Sequence, residues 1–105
     1  MNDQKMQQCI DNCEACLEAC RTCAEACRGM EGMDECVRRC EACIAANERA
    51  LEAMRRGSNE ACGPCADACR ACAEECERHD EDHCQRCAEA CRKCEQSCRE
   101  MAEAA

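Results

Sequence analysis

Cys9-Ile10-Asp11-Asn12-Cys13-Glu14-Ala15-Cys16-Leu17-Glu18-Ala19-Cys20-Arg21-Thr22-Cys23-Ala24-Glu25-Ala26-Cys27 decides the fold. Its six cysteines recur at steps of four, three, four, three and four. That alternation is the 3.5-residue repeat of a helical seam, with a thiol at every position that faces a partner helix. A loop-rich disulfide scaffold has no reason to keep this spacing. A helix that keeps it aims every sulfur along one line, which reads as a metal site running the length of a bundle.

The same period continues outward. Helix 1 is expected over 3–28, its line running from Met6 through the six cysteines to Met30, with Gly29 and Gly32 ending it. Helix 2, over 33–56, carries Met33, Cys36, Cys40, Cys43, Asn47, Ala50 and Met54, and Arg55 and Arg56 suit its C-terminus. Helix 3, over 60–78, carries Cys62, Cys65, Cys69, Cys72 and Cys76, with His79 next on the line. Pro64 requires that this helix begin near Gly63 or kink there. Helix 4, over 81–103, carries Cys84, Cys87, Cys91, Cys94, Cys98 and Met101, with Asp80 as its N-cap and Ala102–Ala105 fraying.

Cys23-Ala24-Glu25-Ala26-Cys27-Arg28 recurs as Cys65-Ala66-Asp67-Ala68-Cys69-Arg70 and as Cys87-Ala88-Glu89-Ala90-Cys91-Arg92. Alanine and glutamate favour helix before any metal arrives. Four helices joined by short connections imply one all-α domain over residues 1–105, an antiparallel up-down-up-down four-helix bundle with a cysteine-lined core. Beside the seam, Ile10, Leu17 and Ala24 of helix 1 should meet Leu51, Ile44 and Val37 of helix 2. Alanines at 66, 73 and 88 would let helices 3 and 4 approach more closely.

Composition narrows the function. The 105 residues include no Phe, Trp or Tyr and few large aliphatics, so something other than an ordinary core must fill the centre. Nineteen cysteines, an odd count, leave a thiol unpaired in any monomeric disulfide scheme. The start, Met1-Asn2-Asp3-Gln4-Lys5, carries no export signal, which leads to the cytoplasm as the expected compartment, where thiols stay reduced. No stretch approaches the length of a membrane span. The net charge of −9, with both signs interleaved, argues against nucleic acid as a partner.

Threading the four lines antiparallel stacks flat layers: Cys27, Cys36, Cys76 and Cys84; then Cys23, Cys40, Cys72 and Cys87; then Cys20, Cys43, Cys69 and Cys91. Below them come Cys16, Cys65 and Cys94 with Asn47, and Cys13, Cys62 and Cys98 with Ala50. Cys9 lies beside Met54 and Met101. Soft thiolate selects Cu(I), Zn(II) or iron–sulfur clusters. Nineteen bare thiolates would add nineteen negative charges to the interior, which one Cu(I) per thiolate cancels, whereas each isolated four-thiolate Zn(II) site retains two. Eight C-x-x-x-C steps can each pinch one ion between side chains a turn apart, and seven C-x-x-C steps link neighbouring ions.

On these residues the chain resembles the bacterial copper storage proteins over essentially its whole length. The resemblance implies reversible storage of multiple Cu(I) ions without catalysis, all nineteen cysteines as ligands, a homotetramer, and exchange with a copper chaperone or acceptor. It also implies admission of copper at one end through His or Met residues. Met30, Met33, His79 and His83 fall at one end and are candidates for that mouth, although they also read as loop apolars and solvated histidines. Met6, Met54 and Met101 converge at the other end as an apolar plug, or alternatively as a second copper site. Asn47 reads as a hydrogen-bonded filler. The competing readings are a metallothionein-like Zn(II) or Cd(II) buffer, a thiol redox enzyme built on C-x-x-C, and an iron–sulfur carrier. The last lacks the compact C-x-x-C-x-x-C-x-x-x-C run.

Overall fold

A computed structural model of the chain describes residues 3–103. Within them α1 spans Asp3–Cys27, α2 Asp34–Arg55, α3 Cys62–Cys76 and α4 Asp82–Glu103. Each helix packs against its two neighbours in a closed square, α4 returning to α1, and the diagonal pairs touch only through side chains on the axis, as Cys16 and Cys69 do at 3.9 Å. The result is a rod of 46 × 18 × 17 Å.

Cross-helix ion pairs report the antiparallel register. Glu14 meets Arg55 at 2.6 Å, Arg21 meets Glu48 at 3.1 Å and Arg28 meets Glu41 at 3.0 Å. The α1 partner climbs seven residues at each step while the α2 partner descends seven, as an antiparallel heptad seam demands. Arg92 with Glu77 and Arg99 with Asp67 tie α4 to the α3 side, again with the two partners running in opposite directions. These pairs are exposed and each contributes at most about 1 kcal/mol. Inside them Ala24 and Leu51 are buried, and Ile10, Leu17, Val37 and Ile44 are partly buried against the core.

The helix ends follow local chemistry. Past α2, Gly57 takes φ +84° while its N–H bonds Met54 O at 2.9 Å and the Ser58 N–H reaches Ala53 O at 2.9 Å. This is a Schellman motif, whose left-handed residue favours glycine. Helix α3 is shorter than the expected 60–78. Pro64 has no N–H to give the Glu60 carbonyl, so the four-residue ladder starts with Cys65 N–H to Ala61 O at 3.1 Å, and proline sits unkinked in the first turn. At its far end, Arg78 and His79 bond back only three residues, which winds the helix down. Helix α4 opens at Asp82, so Glu81 and not Asp80 holds the cap position, its carbonyl accepting from Cys84 and Gln85. Helix α4 continues through Ala102 to Glu103, while Ala104 and Ala105, expected to fray, lie outside the described residues.

Candidate metal centre

All nineteen cysteines are free and at most 1% exposed. Because each seam repeats every 3.5 residues, no thiol drifts off the axis over the length of the rod. Cys94 Sγ lies 3.5 Å from Cys13, Cys13 and Cys9 each lie 3.6 Å from Cys98, and Cys16 lies 3.6 Å from Cys91. Cys43 approaches Cys69 at 3.7 Å, Cys87 approaches Cys20 at 3.7 Å, and Cys72 approaches Cys40 at 3.8 Å. At the upper end Cys36 meets Cys76 at 3.8 Å and Cys27 meets Cys84 at 3.9 Å. Two sulfurs each about 2.3 Å from one metal stand about 3.8 to 4.6 Å apart, from tetrahedral to linear geometry. The thiols therefore need to part by about 1 Å at most to admit ions, and by only a few tenths of an ångström for tetrahedral or trigonal sites.

The flat layers expected from threading are replaced by interleaved sets. Ligand sulfurs lie within 4.8 Å of one another in Cys13, Cys65, Cys94 and Cys98; in Cys16, Cys20, Cys43 and Cys91; and in Cys20, Cys72, Cys87 and Cys91. Two further sets hold Cys23, Cys27, Cys36 and Cys84, and Cys23, Cys40, Cys76 and Cys87. The cause is the order of steps. Cys84 to Cys87 is a three-residue rise of about 4.5 Å, where the facing Cys27–Cys23, Cys36–Cys40 and Cys76–Cys72 steps rise about 6 Å, so α4 falls out of phase. Four of these five sets draw on two thiols four residues apart on one helix, the spacing of C-x-x-x-C. The remaining set, around Cys23 and Cys40, takes one thiol from each helix.

Sharing bears on the metal. Cys20, Cys23, Cys87 and Cys91 each belong to two sets, so the column does not divide into closed, independent tetrahedral sites of the kind structural Zn(II) uses. It suits an ion of low coordination number with sulfurs shared between neighbours. Burial, with the neighbouring Cys23 thiol adding to it, pushes the Cys36 and Cys84 thiols up from their ordinary value. At neutral pH these two are held as neutral thiols, and a metal entering there displaces protons.

Asn47 is fully buried and spends both ends of its amide. Its Nδ2 donates to Cys43 O at 2.9 Å and reaches Cys43 and Cys16 Sγ at 3.3 and 3.5 Å. Its Oδ1 accepts from Cys94 at 3.2 Å and Cys65 at 3.4 Å. A side chain so satisfied fills its place without the cost of an orphaned polar group.

At the upper end the four candidate mouth residues separate. Half-buried His83 places Nε2 3.3 Å from Cys27 Sγ, directly on the end of the thiol chain. His79 instead bonds Glu75 Oε2 at 2.9 Å through Nε2. Met33 is buried at 3% exposure and Met30 faces solvent at 36%. Sequence reading passed over Glu75, which is buried although charged and pairs with Arg78 as well as His79. Its signal was present as the three- and four-residue spacings to those partners. It also passed over Arg39, whose Nη1 donates to Ala71 O at 2.9 Å and links α2 to α3, and Asn59, which donates to Met101 O at 2.6 Å.

Comparison with known proteins agrees with this geometry. A family model described as copper storage protein matches residues 2–103. Copper storage protein 3 from Bacillus subtilis, in its apo form, is 41% identical over 91% of this chain and 97% of its own, with a TM-score of 0.86. Its Cu(I)-bound form superposes at 0.86 with 38% identity, covering 93% of this chain and 98% of its own. A cytosolic copper storage protein from Streptomyces lividans, loaded with five coppers, is 32% identical over 97% of this chain and 95% of its own, at 0.89. No curated protein sequence matches the chain.

Proposed function

The chain belongs to the copper storage protein family, and from that premise we propose that it stores many Cu(I) ions reversibly on its nineteen cysteines, up to about one per thiol. The observation that carries this reading is the column of nineteen buried, free thiols, whose sulfurs gather in groups spaced at 3.5 to 4.0 Å and in four-thiol sets that overlap. Each Cu(I) displaces one thiol proton, so the interior stays neutral as the column fills, and no charge builds up to limit loading.

His83, against Cys27, is the ligand that joins the upper end to the thiol column, with Met33 buried beside that end, His79 half-buried on Glu75 and Met30 exposed. Capture by one of these groups and transfer to Cys27 brings copper onto the column without a bare ion crossing an apolar barrier. No catalytic residue is needed for any of this. A cytosolic setting, as in the Streptomyces relative, suits a store that works only with free thiols, since that compartment keeps them reduced. A homotetramer, as the family resemblance implies, fits the partly exposed Ile10, Leu17, Val37 and Ile44 on the α1–α2 side. Exchange with a soluble copper chaperone or acceptor completes the proposal.

The test is an anaerobic titration of the fully reduced protein with Cu(I) and, separately, with Zn(II), counting bound ions per chain. Saturation near one Cu(I) per cysteine is the expected result. About one Zn(II) per four thiols, with copper bound no more extensively, would refute it in favour of a zinc buffer.

A further inference from the structure

The chain separates its large apolar side chains by place. Its large aliphatics, Ile10, Leu17, Val37, Ile44 and Leu51, all flank the thiol seams, whereas Met6, Met33, Met54 and Met101 continue them beyond the terminal cysteines. An inert plug is served as well by leucine, which this chain uses elsewhere, so thioethers at the ends of the sulfur line call for a chemical reason.

The lower end has the same graded form as the upper one. Met33 is buried behind exposed Met30 at the top, and at the bottom Met54 and Met101 are buried at 2% and 4% exposure behind half-buried Met6. Met6 stands one three-residue step, about 4.5 Å, beyond Cys9, and Met101 the same step beyond Cys98. Met54 and Met101 belong to the continuous buried core and Met6 packs against it, and the Cys9 and Cys98 sulfurs, one step inward from Met6 and Met101, are 3.6 Å apart. A solvent groove of about 470 Å³ between α1 and α4 reaches this place. Its walls are polar, including Lys5, Gln8, Ser97 and Glu100, and Met101 is its one soft ligand.

We propose that this end is a second Cu(I) port, in which the thioethers of Met6, Met54 and Met101 bind one ion and pass it to Cys9 and Cys98. Thioether is a neutral, soft donor, suited to Cu(I) and poorly suited to Zn(II) or Mg(II). An ion held there keeps its positive charge until it reaches a thiol and displaces a proton, so the port holds copper more weakly than the column and favours transfer inward. The column can then fill and empty from both ends. This inference rests on the storage reading.

The experiment uses the full chain labelled with ¹³C at the methionine methyls, loaded anaerobically with Cu(I) supplied as its acetonitrile complex. Four variants accompany it: Met6→Leu, Met6→Leu/Met54→Leu/Met101→Leu, and His79→Ala/His83→Ala with and without the triple change. Leucine conserves volume, and Met6→Leu alone, at a half-exposed site, guards against a folding defect. The Met54 and Met101 methyl signals should shift on loading. The triple variant should bind one ion fewer with its thiolate–copper absorption otherwise intact. In the histidine-deficient background, adding the triple change should slow loading at least tenfold. Unmoved methyl signals, with stoichiometry and loading rate the same with and without the triple change in either background, overturn the second port while leaving storage in place. Absence of thiolate–copper absorption in the parent overturns storage and the port together.

Discussion

Asn47→Cys tests whether copper capacity is set by sulfur placed on the axis. The Asn47 side chain is 0% exposed and lies within 3.9 Å of the sulfurs of Cys16, Cys43, Cys65, Cys69 and Cys94. A thiol at this position enters the column where one helix of four supplies none. The apo protein should weaken, because the Nδ2 bond to Cys43 O is lost, a neutral hydrogen bond of about 0.5–1.5 kcal/mol. The shorter side chain also leaves a small gap, and the total cost is about 1–2 kcal/mol. For a domain of this size that lowers Tm by about 4–15 °C, measured by circular dichroism under reducing conditions. Copper capacity should move the other way, rising by one ion per chain in an anaerobic titration alongside a thiol count that also rises by one. In the loaded state the added ligand should erase the Tm deficit, since a ligand bound only by the folded chain stabilises it. A variant with one more titratable thiol but the parent's copper content would refute the link between axial sulfur and capacity. An unchanged apo Tm would refute the bonding role assigned to Asn47.

Raising pH should destabilise the apo protein but not the copper-loaded one. Folding lifts the Cys36 and Cys84 thiols above their ordinary value of 9.0, so the unfolded chain sheds these protons first and stability falls as pH rises past about 9, by up to about 1.4 kcal/mol per group per pH unit; thermal melts from pH 7 to 10.5 would show it. Cys20→Ala, which breaks two overlapping sets, should cost more copper at limiting metal than Cys9→Ala at the end of the run, as read by competition with a Cu(I) chelator. His83→Ala should slow loading severalfold in stopped flow while leaving the final ion count unchanged, because His83 touches the end of the column and is not part of it. Arg92→Ala should lower stability by less than about 1 kcal/mol, as its pairs with Glu77 and Glu95 are surface contacts.

Much of this molecule was legible as sequence because one period controls it. A 3.5-residue repeat of a single residue type defines a helix, the face it buries and the chemistry of that face together. The four helices, the inward turn of all nineteen thiols and the pinch of C-x-x-x-C follow from Cys9–Cys27 and its three echoes. Glycines 29, 32 and 57, all at positive φ, mark the turns for the same local reason. What one strand of sequence does not contain is the vertical offset between helices. That offset depends on where three- and four-residue steps face each other across the core, and it turned flat layers into interleaved sets that share Cys20, Cys23, Cys87 and Cys91. The pairing of His79 with buried Glu75, and of His83 with Cys27, was likewise decided by how α3 winds down and α4 begins. Periodicity acts along one helix and assigns its face, whereas axial register is a relation between helices and emerges only when their side chains pack.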